Sequence, residues 1–217
     1  MANSTLNAKI ESFWKWFVQT EDRILTFFSD EVDADKDALI ETINNKILDF
    51  GLFSWEIGPD RGRRHYLTIS PNGDKTRLEI SKLIISKAPR LRNWSFYYAK
   101  PSKKWDFVFK IYDDFMMERT IEAFRWNYVL LEYADDTLEI QIEANNISFL
   151  DQDYKKTAAD LVITNILGEE AKIKDINKIT IVEELDDEYS AICAPIRELK
   201  EHFEEILAER MEENSRY

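Results

Sequence analysis

Two N-terminal segments place apolar residues at the three- and four-residue spacing that puts them on one face of a helix. The first covers residues 6 to 29, and the second runs from about Asp35 to Phe50, where Gly51 marks its end. A short acidic loop joins them. The pattern therefore predicts an antiparallel helical hairpin over residues 1–50.

From Leu52 onward, apolar and polar positions alternate with the period of a strand, interrupted by helical stretches. The order of these runs predicts two halves, residues 52–112 and 118–185, each with a hairpin, a helix and a further strand. A charged amphipathic helix follows over residues 194–214. The sequence thus predicts an α+β fold, with a mixed or mainly antiparallel sheet flanked by helices and arranged as two half-repeats. Because no linker rich in glycine and proline divides the chain, we expect residues 1–217 to form a single domain.

Five short runs lie between residue 13 and about residue 169: FWKWF, FSWEIGP, LTISPNGD, APRLRNWSFYYAKP and LVITNILGE. Together they resemble an uncharacterised family of bacterial proteins. The resemblance implies a shared fold and a bacterial, cytosolic origin. Its motifs are turn and core patterns, so they carry no catalytic residue to this chain.

The N-terminus has no basic segment followed by an apolar run, and no window reaches the roughly 18 apolar residues that a membrane span needs. Cys193 is the single cysteine, which excludes an internal disulfide and fits a reducing compartment. We therefore expect a cytoplasmic protein without a membrane segment.

The sequence lacks the common motifs of catalysis. Its five glycines form neither a dinucleotide-binding nor a P-loop pattern. The two histidines, His65 and His202, have no zinc-site spacing; we interpret them as a strand-edge residue beside solvent and a solvated helix residue. Paired aspartates, such as Asp113 with Asp114, fall at predicted turns and helix starts, which favours capping over metal binding. No catalytic set, metal or cofactor is predicted, and the residues favour a role other than catalysis.

Charge is distributed unevenly along the chain, whose formal net charge is -13. Residues 60–110 carry 13 basic and 4 acidic side chains, whereas the flanking blocks are acidic. We interpret the GPDRGRR run first as a hairpin tip and second as an anion contact. The predicted anion or partner contacts of this basic middle are Arg61, Arg63, Arg64, His65, Arg90, Arg92, Lys103 and Lys104.

Aromatic residues at Trp94, Phe96 and Tyr98 lie beside these basic loops, a combination that single-stranded nucleic acid grooves also use. One face of each strand must fill the core, however, and the acidic remainder of the chain would repel a polyanion. The composition therefore argues against a nucleic acid partner.

The leading hypothesis is a non-catalytic protein-interaction module, such as a toxin-neutralising immunity protein, whose acidic surface binds a basic partner. The candidate surfaces are the acidic loop from Asp30 to Asp37 and the C-terminal segment, with Glu201, Glu204 and Glu205. Trp16 lies off the main apolar stripe of the first helix, so it either packs under a neighbouring helix or forms a partner or homodimer contact.

The alternative hypothesis is a small domain that binds an anionic ligand or acts as an enzyme. Its pocket would lie at the basic hairpin, where arginines can clamp a phosphate or a carboxylate.

Overall fold

The computed structural model describes residues 2–28, 36–60, 62–63, 65–113 and 115–214. Within these ranges the chain forms seven α-helices and three small sheets, which confirms the predicted α+β class. It divides into two compact units, the N-terminal unit of residues 1–100 and the C-terminal unit of residues 101–217. The expected single domain stays a prediction. Among the described helices, none combines the length and the apolar content that a bilayer span requires.

The N-terminal unit begins with a helix pair and continues with a three-stranded sheet. Its elements are α1 (Ala2–Phe28), α2 (Lys36–Leu48), β1 (Ser54–Pro59), β2 (His65–Ser70), α3 (Lys75–Ser86) and β3 (Trp94–Tyr97). β1 pairs with β2 in antiparallel orientation, and β3 pairs with β2 in parallel, so the sheet order is β1-β2-β3. A parallel pair needs a crossover connection, and α3 provides it. The predicted acidic connection between the first two helices falls largely on residues 29–35, outside the described residues.

The C-terminal unit contains a separate two-stranded sheet and a four-stranded sheet. Its elements are β4 (Val108–Tyr112), β5 (Glu118–Glu122), β6 (Asn127–Glu132), β7 (Leu138–Glu143), α4 (Gln152–Leu167), α5 (Glu169–Asp175), β8 (Ile176–Val182), α6 (Asp187–Ser190), β9 (Ala194–Pro195) and α7 (Leu199–Asn214). β4 pairs with β5, and the other strands follow the order β8-β7-β6-β9.

The two units share one topology. In each, an antiparallel hairpin is followed by a helical crossover and by a strand that pairs in parallel with the second hairpin strand. The orders β1-β2-β3 and β6-β7-β8 therefore correspond element by element. This is the hairpin, helix and strand order that the sequence pattern predicts for both halves.

Aromatic packing joins α1 to the sheet of the N-terminal unit. The ring of Phe17 lies edge-on to the ring of Trp94, with centroids 4.9 Å apart, and 5.6 Å from that of Phe96. The buried indole Nε1 of Trp14 donates to the carbonyl oxygen of Ile84 at 2.9 Å, which links α1 to α3. Because edge-to-face pairs and buried hydrogen bonds both depend on orientation, these contacts give α1 one defined position and orientation on this sheet.

Several aspartates of the C-terminal unit act as caps. Asp151 precedes α4 and accepts hydrogen bonds from the backbone N–H groups of Asp153 and Tyr154, both at 2.9 Å. Asp186 caps α6 through the N–H of Tyr189 at 3.0 Å. Since a carboxylate at this position satisfies N–H groups that have no partner within the helix, these residues have the local structural role that the sequence predicts.

Asp113 organises the turn between β4 and β5, in keeping with the local structural role that the sequence predicts for the paired aspartates. The residue is 5% exposed. Its Oδ1 accepts hydrogen bonds from the N–H groups of Phe115 at 3.0 Å and Met117 at 2.9 Å, and its Oδ2 accepts one from Nε of Arg119 at 2.8 Å. The Arg119 side chain and the Met117 N–H hold the pKa of Asp113 below its usual value of 3.8.

We expect Asp113→Asn to destabilise the chain in a pH-dependent manner. A carboxyl whose pKa is lowered by folding stabilises the folded state above its usual pKa, and the contribution disappears as the pH falls through the lowered pKa. In urea titrations, the difference in unfolding midpoint between wild type and variant should be constant above about pH 5 and shrink below it. The exposed Asp187→Asn is the control. A difference that does not change with pH would contradict the role assigned to Asp113.

Candidate functional site

A groove of about 750 Å³ follows the outer edge of β3 in the N-terminal unit. Its lining consists of residues 94–97 of this strand, Ile85 at the end of α3, residues 88–92 of the segment that follows α3, and Arg63. β3 is the last strand of its sheet, and no strand in the described part of the chain pairs with its outer edge. The groove therefore combines side chains with the hydrogen-bonding edge of a strand.

Arg63 connects the hairpin tip to the segment before β3. Its NH1 nitrogen donates to the carbonyl oxygens of Leu91 at 2.9 Å and Arg92 at 2.7 Å. Next to it, the backbone N–H of His65 donates to the carbonyl oxygen of Asn93 at 3.0 Å. Because one guanidinium holds two consecutive carbonyl groups, the basic hairpin and the segment 90–93 have a fixed spacing.

Arg90 and Arg92 supply the uncompensated charge of the groove. Both are exposed, and neither forms an ion pair with any residue that the structure describes. Other cations of the same basic block behave differently: Lys82 pairs with Glu79 at 3.1 Å, and Lys110 pairs with Glu118 at 2.7 Å. The groove therefore carries two exposed positive charges that no described carboxylate neutralises, in a chain that is acidic overall.

Trp94 is a buried residue of the groove lining, near Arg90 and Arg92 in the chain. Trp94 is 2% exposed, its ring lies parallel to that of Phe96 with centroids 6.2 Å apart, and it contributes to the lining of the groove. Its indole Nε1 is buried and finds no hydrogen-bond acceptor among the described residues. A buried donor in this state costs free energy.

His65 is not the solvent-facing residue that the sequence predicts. It is 7% exposed and lies 5.7 Å from the ring of Trp94, between ring centroids. The reason is the alternation of β2, which places His65 on the same face as the buried Leu67.

The structure brings together only part of the predicted basic contacts. Arg63, Arg90 and Arg92 line one groove. Arg61 and Arg64 lie outside the described residues. Lys103 and Lys104 belong to the C-terminal unit, where the N–H of Lys103 donates to the carbonyl oxygen of Asn165 at 2.7 Å.

A second surface consists of Glu201, Glu205 and Glu209, which follow one another at intervals of four residues along α7 and are called the glutamate row. All three are exposed, and none has an ion-pair partner among the described residues. Glu204, which the sequence also predicts as a partner contact, lies 3.8 Å from Nζ of Lys200. Like charges four residues apart repel each other and destabilise a helix, so the glutamate row lowers the stability of α7.

The negative field of α7 reaches the neighbouring strand β6. Burial, together with the charges of Glu198 and Glu205, raises the pKa of Tyr128 to about 12. The hydroxyl of Tyr128 lies 3.0 Å from Nδ1 of His202, an exposed residue of α7. The tyrosine therefore remains protonated and available as a hydrogen-bond donor to the imidazole.

All of the net negative charge belongs to one unit. Residues 101–217 contain 14 lysines and arginines and 28 aspartates and glutamates, which gives a formal charge of -14. Residues 1–100 contain 15 and 14, which gives +1. The chain thus carries an acidic unit, with the glutamate row, and a nearly neutral unit, with the cationic groove.

Two further surface features are the side chain of Trp16, which the sequence predicts as a contact, and the turn built on Asp113. Trp16 is half-buried, and Nζ of Lys46 on α2 lies 5.0 Å from the centre of its ring.

The turn built on Asp113 exposes three consecutive apolar side chains, Phe115, Met116 and Met117, to 85%, 76% and 56%. Sequence reasoning missed this tip, although an uninterrupted apolar triplet within a polar loop was a signal for it.

Comparison with models of protein families, with curated proteins and with solved structures gives no match. The resemblance to a bacterial family therefore stays a prediction, and the function is argued from the groove and the glutamate row.

We expect Arg63→Ala to loosen the segment before β3. Removing the guanidinium leaves two carbonyl groups without their donor, which should cost about 1 kcal/mol of stability. Hydrogen exchange should become faster at the amides of His65 and Trp94, whose acceptors lie on this segment. Arg90→Ala, which removes no hydrogen bond of the described structure, is the matched control. Unchanged exchange in Arg63→Ala would show that the two carbonyl contacts do not position the segment.

Proposed function

We propose that this chain is a non-catalytic, cytoplasmic protein-interaction module that binds a basic partner protein through the glutamate row and the acidic unit around it. The observation that supports this proposal is the concentration of the net negative charge in residues 101–217, where three glutamates at regular spacing on one helix have no ion-pair partner in the described part of the chain. Opposite potentials accelerate encounter, and blocking a partner's surface requires no chemistry. An immunity protein that neutralises a basic toxin would use such a surface.

The spacing of the row suits a partner with several cations. Four residues of α-helix advance by about 6 Å, so the three carboxylates extend over about 12 Å. Arginine or lysine side chains that bind them also relieve the repulsion between glutamates four residues apart. Binding of a cationic partner therefore stabilises α7 as well as the complex.

We expect the triple variant Glu201→Gln, Glu205→Gln and Glu209→Gln to bind basic probes about tenfold more weakly, because three exposed charge pairs at about 0.5 kcal/mol each correspond to that factor. The probes are a short peptide rich in lysine and arginine, and cytochrome c as a folded basic protein. Affinity is measured by isothermal titration calorimetry at low and at moderate salt, and the difference should shrink as the salt concentration rises.

The matched control is the triple variant Glu11→Gln, Glu41→Gln and Glu79→Gln in the N-terminal unit, which changes the net charge by the same amount. Its affinity should stay within about twofold of wild type. If both triple variants lose affinity equally, only the total charge matters and the glutamate row is not the binding surface. Binding of neither probe by wild type would remove the proposal.

A second candidate function is the binding of an anionic ligand in the groove along β3. The observation that favours it is the convergence of Arg63 with Arg90 and Arg92, which the hydrogen bonds of Arg63 bring together. Guanidinium groups bind carboxylates and phosphates through paired N–H donors. The lining contains two hydroxyl groups, those of Ser95 and Tyr97, and the Ser95 hydroxyl already donates to Oδ2 of Asp60 at 2.5 Å. The groove therefore suits binding better than reaction.

We expect citrate or pyrophosphate to raise the melting temperature of wild type, because a ligand that binds only the folded state stabilises it in proportion to the logarithm of its concentration. The double variant Arg90→Ala and Arg92→Ala should lose the shift in differential scanning fluorimetry. The variant Lys104→Ala and Lys178→Ala, which removes the same charge from the C-terminal unit, should keep it. The absence of a shift with any anion would exclude this function.

A further inference from the structure

β3 presents unused backbone groups to the groove. The N–H of His65 donates to the carbonyl oxygen of Asn93, and in a parallel ladder this places the backbone groups of Asn93, Ser95 and Tyr97 on the side of β2. The alternate residue, Phe96, therefore directs its N–H and its carbonyl oxygen outward. The N–H of Trp94, which also points outward, already donates to the carbonyl oxygen of Leu91 at 3.4 Å, so the outward N–H and carbonyl oxygen of Phe96 are the template for a further strand.

The groove has charge and apolar surface beside this edge. Arg90 and Arg92 supply two exposed guanidinium groups without partners among the described residues, and Ile85, Pro89 and Leu91 supply apolar lining. A strand added to β3 would alternate its side chains between the two faces of the sheet. It can therefore place apolar residues on one face and carboxylates on the other.

We propose that the groove binds an extended acidic peptide segment of a partner protein, which pairs with the outer edge of β3 while its carboxylates bind Arg90 and Arg92. This inference rests on the anion-binding groove and adds the class of its ligand. Main-chain hydrogen bonds to the strand supply affinity, and the arginines select for negative charge.

Two other anions fit the groove less well. A single phosphate or carboxylate fills little of a cavity of about 750 Å³ and leaves the outward N–H of Phe96 unused. A single-stranded nucleic acid has no alternating backbone donors and acceptors to match a strand edge. A short peptide of alternating acidic and apolar residues meets both requirements.

The test uses the full chain and a fluorescein-labelled peptide of alternating glutamate and valine, measured by fluorescence anisotropy. Two N-methylated versions keep every side chain: one is methylated at the glutamates and the other at the valines. Because a strand directs alternate amides to opposite edges, only one version should lose the bonds to β3. We expect that version to bind at least about fivefold more weakly, since each lost hydrogen bond is worth about 1 kcal/mol, while the other binds like the unmodified peptide.

Protein variants and hydrogen exchange supply independent measurements. Arg90→Ala with Arg92→Ala should weaken binding of the peptide about fivefold, because two exposed charge pairs are lost, and Lys104→Ala with Lys178→Ala should not. In wild type, the peptide should slow exchange of the Phe96 amide, which faces the groove, more than that of the Ser95 amide, which already faces β2.

The outcomes separate this inference from the function on which it rests. Equal binding of both methylated peptides, or no protection of the Phe96 amide, overturns strand addition. If citrate shifts the melting temperature and no peptide binds, the groove is an anion site and the peptide inference is wrong. If neither binds, both fail. Stronger binding of an oligo-deoxythymidine than of the peptide also overturns the inference, in favour of nucleic acid.

Discussion

The parallel pairing of β2 with β3 is the constraint on which the groove depends. In a parallel pair, both strands start at the same end of the sheet, so the loop before β2 and the loop before β3 must be neighbours. The first loop contains Arg63 and the second contains Arg90 and Arg92. Their convergence is therefore a consequence of topology, and the hydrogen bonds from Arg63 to the carbonyl groups of residues 91 and 92 fix it. The crossover through α3 also makes β3 the outermost strand of the order β1-β2-β3.

The sequence predicts the local elements well, because most of them bury one face and so show a clear period. It does not predict β5, where Glu118, Arg119 and Thr120 are all exposed on a two-stranded sheet and show no alternation of apolar residues. It also does not predict the parallel pairing of β2 with β3, since no local pattern records which strand a given strand will join. The groove follows from that pairing and was beyond sequence reasoning for the same reason, whereas the burial of His65 follows from the alternation of β2.

The glutamate row could be predicted in part, because exposure on a charged helix follows directly from its period. The sequence identifies Glu201 and Glu205 but not their regular continuation to Glu209, and it does not show that Glu204 lies beside Lys200. The sequence alone does not show how the charge divides between the two units, because the boundary between them at residue 100 comes from the structure. With residues 101–217 at -14 and residues 1–100 near neutrality, the acidic average of the chain hides a unit that can attract anions. One chain can therefore offer surfaces to partners of opposite charge.

The tip built on Asp113 has a consequence for the redox chemistry of the surface. Two of its three exposed apolar side chains are methionines, and Met211, the other methionine with a described side chain, is also exposed. Oxidation to the sulfoxide would convert the tip from apolar to polar. Because Met116, Met117 and Met211 all lie outside the buried clusters, this change would alter the surface and leave the packing of both units intact.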